Sequence, residues 1–426
     1  MNQTPSSSRV HIAFFGRRNC GKSSLLNAVI GQDLSIVSDI KGTTTDPVLK
    51  SMELLPLGPV VIIDTPGFDD EGALGELRVK KVMRILDKTD IAVLALDGEL
   101  PPEDAFSALE IEHIKLFHKK NIPFIIAHNK SDIFRDEKTL HSQYPAWMEK
   151  IKSSGVEIKD FDFSANILSV SAKTGDNINS LKEKLAMVAE KNETSRFLIA
   201  DLIHKDDIIV LVIPIDSSAP KGRLILPQQQ VIREILDAGA VAITCKDTEL
   251  NNALSKLSVK PALVITDSQV FQKVSAIVPE EIPLTSFSIL FARYNGFLEN
   301  AIKGVTSIDA LKDEDKILIC EGCSHHRQCD DIGTVKLPAM IKNYTKKNLS
   351  FIFNSGGDFP HDLGAFRIVI HCGACMLNQR ETLNRCHRAE TQNVPFTNYG
   401  ITIAHIQGIL KRSVAMFNFN QEGKNE

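Results

Sequence analysis

Long apolar runs are missing from this 426-residue chain. The longest, such as Ile208 to Ile215, are of strand length, far short of the roughly 20 residues of a membrane span, so no membrane segment is expected. Met1 to Ser8 is polar, and the apolar stretch Val10 to Phe15 is too short for a secretory h-region. No export signal is expected. Charge of one sign is not in excess either. The net charge is -4 with no basic stripe, which disfavours nucleic acid as a partner. Repeats and low-complexity blocks are absent beyond the Ser-rich start. Cysteine is scarce over most of the chain: Cys20 and Cys245 stand alone, and the rest fall between 320 and 386. Such clustering does not make a disulfide framework. Free thiols suit a reducing compartment, so a cytoplasmic location is expected.

What is present is an α/β pattern long enough for roughly three domains. Val10 to Phe15 reads as a buried strand, followed at once by Gly16-Arg17-Arg18-Asn19-Cys20-Gly21-Lys22-Ser23 and the helical pattern Ser24 to Ile30. This is G-x-x-x-x-G-K-[ST] between the strand and helix it requires. Gly16 and Gly21 let backbone N–H groups face phosphate oxygens at a helix N-terminus. Lys22 neutralises phosphate, Ser23 can ligate Mg²⁺, and Ser24 is a further nucleotide contact. Cys20 is expected as a small filler.

Later motifs arrive in the order of a guanine-nucleotide switch. Gly42-Thr43-Thr44-Thr45-Asp46 lies in a polar loop, where Thr44 can sense the γ-phosphate through Mg²⁺. Val60 to Ile63 runs into Asp64-Thr65-Pro66-Gly67, placing Asp64 at the Mg²⁺ shell and the Gly67 N–H at the γ-phosphate. Phe124 to Ala127 leads to Asn129-Lys130-Ser131-Asp132, whose last carboxylate accepts two hydrogen bonds that guanine, not adenine, can donate. Ile167 to Val170 leads to Ser171-Ala172-Lys173, a loop over the base. Phe68 stands where a water-orienting Gln serves Ras-like switches, so hydrolysis needs another device. Residues 69 to 87 read as a mobile loop entering a helix. Phe134 to Ile158, with the lone Trp147, reads as surface helix and loop, and residues 177 to 190 as a closing helix.

A small α/β unit follows: a strand at Ile208 to Ile213, a helix from about Gln228 to Ala238 and a strand at Ala240 to Thr244. A unit of that size leaves apolar edges to cover, and dimerisation is expected. Beyond Pro261 the strands and helices alternate again. Thr285 to Asn300 reads as one helix. Strands at 316–319, 350–353 and 366–370 each end in a chemically notable loop: Cys320 to Asp331, Asn354 to Asp358, and His371 to Cys375. In a parallel sheet these loops converge beyond the strand ends.

Cys323-Ser324-His325 and His371-Cys372-Gly373-Ala374-Cys375 point to a metal. Cys320, Cys323, Cys372 and Cys375 make one possible zinc site, and Cys323, His325, Cys372 and Cys375 another. Against zinc stand the long gap between the pairs, a core that needs no metal to fold, and a surplus of histidine. Three thiolates and one exchangeable position describe a [4Fe–4S] cluster instead. Cys375, opening a helix at Met376, would favour its negative charge.

The first half resembles the translation-factor-like small GTPases. It also resembles the tRNA-modification GTPase group, in which an Asn at the place of Asn19 ligates K⁺. That resemblance implies slow, K⁺-stimulated hydrolysis with Lys22, Asn19, Thr44 and Asp64 at its centre. Cys-x-His, a long gap and His-Cys-x-x-Cys behind such a domain resemble the HydF family, GTP-binding scaffolds of [FeFe]-hydrogenase maturation. Asp64 to Leu77, Pro214 to Pro227 and Asp330 to Gly333 also resemble that family. The resemblance implies a GTPase domain at 8–190, a dimerisation domain at 191–265 and a cluster domain at 266–426. It implies cluster ligands Cys323, Cys372 and Cys375 with a variable fourth, His325 or His371, and leaves Cys320 and Cys329 as extra thiols. It further implies GTP, Mg²⁺, K⁺ and a transient diiron precursor carrying CO and CN⁻, delivered to apo-[FeFe]-hydrogenase, with two radical-SAM maturases as partners. The competing expectation is a tRNA-modification-type GTPase with a structural zinc.

Overall fold

β1 spans Val10–Phe15, and its apolar residues alternate between two cores. Ala13 and Phe15 face one side with Val61, Ile63, Ala92 and Leu94. Ile12 and Phe14 face the other with Val60, Ile62, Ile91 and Val93. This two-residue period makes the run a strand buried on both faces, as a parallel sheet covered by helices demands. The computed structural model describes residues 5–31, 48–65, 74–100, 104, 106–133, 137–155, 166–192, 196–215, 224–322 and 331–417. They fall into two compact units, Met1–Thr194 and Ser195–Glu426.

In the first unit, β2 (Val48–Leu54), β3 (Gly58–Asp64), β4 (Ile91–Asp97), β5 (Phe124–Asn129) and β6 (Ile167–Ser169) join β1 in the order β2-β3-β1-β4-β5-β6. Only β2 is antiparallel to its neighbour. Helices Lys22–Ile30 and Ile178–Asn192 cover one face, contributing Leu25, Leu26, Leu181 and Leu185. Leu74–Asp87, Ala108–Lys119 and Glu137–Ser153 cover the other. The last of these corrects the expectation of a plain surface segment. Trp147 is fully buried, stacked on Phe106 with ring centroids 5.2 Å apart.

The second unit holds two four-stranded parallel sheets over one continuous core. The first contains β7 (Ile208–Val212), β8 (Val241–Cys245), β9 (Leu263–Thr266) and β10 (Leu284–Ser286), in the order β10-β9-β7-β8. The expected boundary at 265 therefore falls inside this sheet. The second contains β11 (Lys316–Glu321), β12 (Ser350–Ser355), β13 (Ile368–His371) and β14 (Phe396–Asn398), in the order β12-β11-β13-β14. The single helix expected over Thr285 to Asn300 is two, Phe287–Tyr294 and Leu298–Val305. Gly296 separates them at φ 82°, a left-handed backbone that glycine adopts without strain. Among the described residues, no helix is long and apolar enough to cross a membrane.

Candidate functional site

The phosphate loop runs from the end of β1 to the helix at Lys22. Both glycines are required by space as well as by angle. A Cβ on Gly16 would lie 2.6 Å from the Ala95 carbonyl oxygen, and one on Gly21 would lie 2.3 Å from Asn129 Nδ2. Asn19 is exposed at φ 65°. Lys22 and Cys20 are buried, Cys20 as the expected filler. The Ser23 hydroxyl donates to Asp64 Oδ2 at 3.1 Å. The other carboxylate oxygen, Oδ1, is buried with no hydrogen-bond partner among the described residues. Burial raises the Asp64 pKa, opposed by the Lys22 charge and the Ser23 hydrogen bond. An orphaned carboxylate oxygen beside a hydroxyl and a lysine fits the shell of a divalent cation.

The base side is stapled by Asn129. Its Nδ2 donates to the Cys20 and Gly21 carbonyls at 3.1 and 3.4 Å, and its Oδ1 accepts from the Ala172 N–H at 3.1 Å. Asn129 thus joins the phosphate loop to the Ser171-Ala172-Lys173 loop. Lys130 pairs with Asp97 at 2.9 Å and Glu99 at 3.2 Å. Asp132 Oδ1 accepts from the Ser171 hydroxyl at 2.8 Å, and the exposed Lys173 Nζ lies 3.9 Å from Oδ2. Gly21, Ser24, Lys130, Asp132, Ala172 and Lys173 line one cleft of about 770 Å³. The sequence reading missed Asn27, Ala28, Gly31 and Ile133 on its wall. Thr44 and Gly67, with Phe68 and the acidic loop after it, lie outside the described residues.

A second element also escaped the sequence. Arg17, inside the phosphate loop, donates through Nε and Nη2 to Glu110 Oε1 and Oε2 at 2.7 and 2.8 Å. Glu110 is buried and shares the N-terminus of helix Ala108–Lys119 with the capping Ser107. Burial alone would raise the Glu110 pKa, but hydrogen bonds from Arg17 and Ser107 and the Arg17 charge hold it below the usual value. A sequence-distant pair of this kind leaves no periodic signal.

In the second unit, β11, β12 and β13 run parallel, with Cys320 opposite both Asn354 and His371. The ends of all three strands therefore share one edge. The Cys372 N–H donates to the Cys320 carbonyl at 2.8 Å, and the Gly356 N–H to the Glu321 carbonyl at 2.9 Å. The Cys372 sulfur accepts two backbone N–H groups, from Gly322 at 3.1 Å and Ala374 at 3.4 Å. Ala374 is held at φ 57°. Backbone N–H groups converging on a sulfur suit a thiolate ligand. Cys375 is half-buried but does not open the helix. That helix starts at Gln379, capped by the Asn378 side chain.

Cys320 lies in the core, its thiol pushed up to about 12 by burial. One further expectation changes at this edge. His371 is fully buried with both ring nitrogens engaged: Nδ1 lies 3.0 Å from the Cys372 carbonyl oxygen and Nε2 lies 3.0 Å from Arg385 Nη1. No lone pair on its ring is left for a metal in this arrangement. Among the described residues, no three His, Cys, Asp or Glu side chains gather to hold a metal ion. Cys323, His325 and Cys329 lie outside the described residues, immediately after Gly322.

Three family models match the chain. One, a 50S ribosome-binding GTPase, covers residues 11–130. The hydrogen maturase F dimerization domain covers 198–296, and the hydrogen maturase F tetramerization domain covers 299–416. The GTPase Der of Wolinella succinogenes is 36 % identical over 201 residues, which are 46 % of this chain and 39 % of that protein. The GTPase Era of Chromobacterium violaceum is 31 % identical over 209 residues, 46 % of this chain and 64 % of that protein. The chain thus spans less than two thirds of either relative. A solved structure of a probable GTP-binding protein engB is 25 % identical, covering 43 % of this chain and 100 % of that one at a TM-score of 0.34. With two consecutive hydrogen maturase F domains behind a GTPase domain, the chain belongs to the hydrogen maturase F family of GTPases.

Proposed function

We propose that the protein is a GTP-hydrolysing scaffold that binds a [4Fe–4S] cluster and a diiron precursor and delivers the precursor to apo-[FeFe]-hydrogenase. The observation that carries this is the pair of N–H groups on the Cys372 sulfur. One of them belongs to Gly322, the residue before Cys323. Cys323, Cys372 and Cys375 would hold the cluster, leaving the fourth position open or filled by His325. Iron–sulfur chemistry would be supplied there by the bound cluster. In the nucleotide cleft, Gly16, Gly21, Lys22, Ser23, Ser24, Asp64 and Gly67 would bind phosphates and Mg²⁺ with Thr44, and Asn129, Lys130, Asp132, Ser171, Ala172 and Lys173 the base. Asn19 would hold K⁺ and so support slow turnover.

The protein would act in the cytoplasm, with two radical-SAM maturases supplying the precursor. Residues 8–190 would form the nucleotide switch. Self-association would run through the β7–β10 sheet, whose edge strand β8 exposes Val241, and the cluster would sit in the following domain. Co-expression with both maturases and apo-hydrogenase tests the delivery role. Wild type yields active hydrogenase and Cys372→Ala does not, whereas equal activation by both would contradict it. Asn19→Ala tests the cation: the advantage of K⁺ over Na⁺ in GTP turnover is lost, and its survival would remove Asn19 from that role.

A further inference from the structure

We propose that Arg385 and His371 form one positioning couple that holds the Cys372 backbone in place for the cluster, and that His371 is not a cluster ligand. The proposal rests on the cluster-binding function above.

Both ring nitrogens of His371 and both terminal nitrogens of Arg385 are engaged, while Arg385 Nε is buried with no hydrogen-bond partner among the described residues. A guanidinium can only donate, so the contact from Arg385 Nη1 makes His371 Nε2 an acceptor. The ring proton must then sit on Nδ1, where it is donated to the Cys372 carbonyl. Arg385 thereby selects the tautomer that ties down the peptide following Cys372. The arginine is itself over-determined. It is 2 % exposed. Its Nη2 donates to the Gly356 carbonyl at 2.8 Å and to Glu381 Oε1 at 2.6 Å. Its guanidinium carbon lies 5.4 Å from the centre of the Phe359 ring. One buried side chain on helix Gln379–Thr391 thus fixes the loop after β12 and, through His371, the end of β13. Polar partners that fix the groups around a metal ligand are worth about 10- to 100-fold in metal affinity. A lysine in place of Arg385 could not reproduce this fork.

The test is made on anaerobically reconstituted full-length protein, by iron content, EPR and the rate at which a chelator removes the cluster. His371→Asn places an amide nitrogen near the position of Nδ1 and keeps the bond to the Cys372 carbonyl. It retains the cluster with unchanged EPR g-values and unchanged ¹⁴N couplings. His371→Ala and Arg385→Met lose iron to the chelator about tenfold faster than wild type. His371→Gln, whose amide falls nearer Nε2, behaves like His371→Ala. That Asn and Gln pair decides the question if Arg385→Met does not fold. Altered g-values with loss of a ¹⁴N coupling in His371→Asn would overturn the proposal by making His371 a ligand. Wild-type rates in His371→Ala and His371→Gln would overturn it by making the couple irrelevant. If wild type takes up no cluster, the cluster-binding function fails first and the proposal falls with it.

Discussion

Arg17 and Glu110 show how a half-buried arginine on a buried carboxylate anchors the phosphate loop. The Glu110 side chain is 3 % exposed and that of Arg17 25 %. Arg17→Ala would strand a carboxylate in the core, which costs about 3 kcal/mol. Thermal unfolding should show that loss, and Arg17→Lys, lacking the two-pronged geometry, should recover only part of it. Wild-type stability in Arg17→Ala would contradict the assignment. His128, next to the nucleotide loop, gives a pH signature. Burial lowers its pKa from 6.5 to about 4. A histidine depressed in the fold contributes stability that is full above pH 6.5 and is lost as pH falls through about 4. Its share is roughly 3 kcal/mol by the 1.36 kcal/mol per unit rule. Urea unfolding at neutral pH and near pH 4 should therefore show a smaller acid loss in His128→Phe than in wild type, and identical losses would refute it.

Among elements, strands were the legible part. β1, β3, β5, β7, β11 and β13 stand out in the sequence because near-continuous apolar runs mark strands covered on both faces. Helices were blurred by averaging. Tyr144, Trp147 and Ile151 fall at i, i+3 and i+7, a buried stripe inside a segment that is polar overall. Gly296 splits what one periodic pattern joins. β14, only three residues long, carries too little pattern to be seen. Arg385 was invisible because nothing local in helix Gln379–Thr391 reveals that a distant histidine and carbonyl wait for it. The nucleotide motifs were readable because each needs a fixed local spacing, whereas the Arg17 and Arg385 contacts exist only after folding.

Edge strands carry a further prediction. The Val241 N–H donates inward to the Asp207 carbonyl, so by alternation the Thr244 N–H faces the open side of β8. Thr244→Pro removes that donor without touching the internal ladder. If β8 pairs with a second copy, light scattering should find a smaller assembly for Thr244→Pro than for wild type. An unchanged mass would exclude this edge.

At the scale of the molecule, each unit has an edge at which parallel strands end side by side. The first gathers phosphate, cation and base contacts around β1, β3, β5 and β6. In the second, the ends of β11, β12 and β13 meet at one edge. Both follow one rule, that sites form beyond the carboxyl ends of parallel strands. The family joins the two halves in one chain, and under the proposed function the second edge carries iron. The most direct measurement is metal and sulfide analysis with EPR on full-length protein purified without oxygen, wild type beside Cys323→Ala. The expected result is a brown wild type with iron and sulfide in equal amounts and a reduced-state cluster signal, and a Cys323→Ala variant depleted of both. A colourless wild type containing zinc, or iron unaffected by Cys323→Ala, would contradict it.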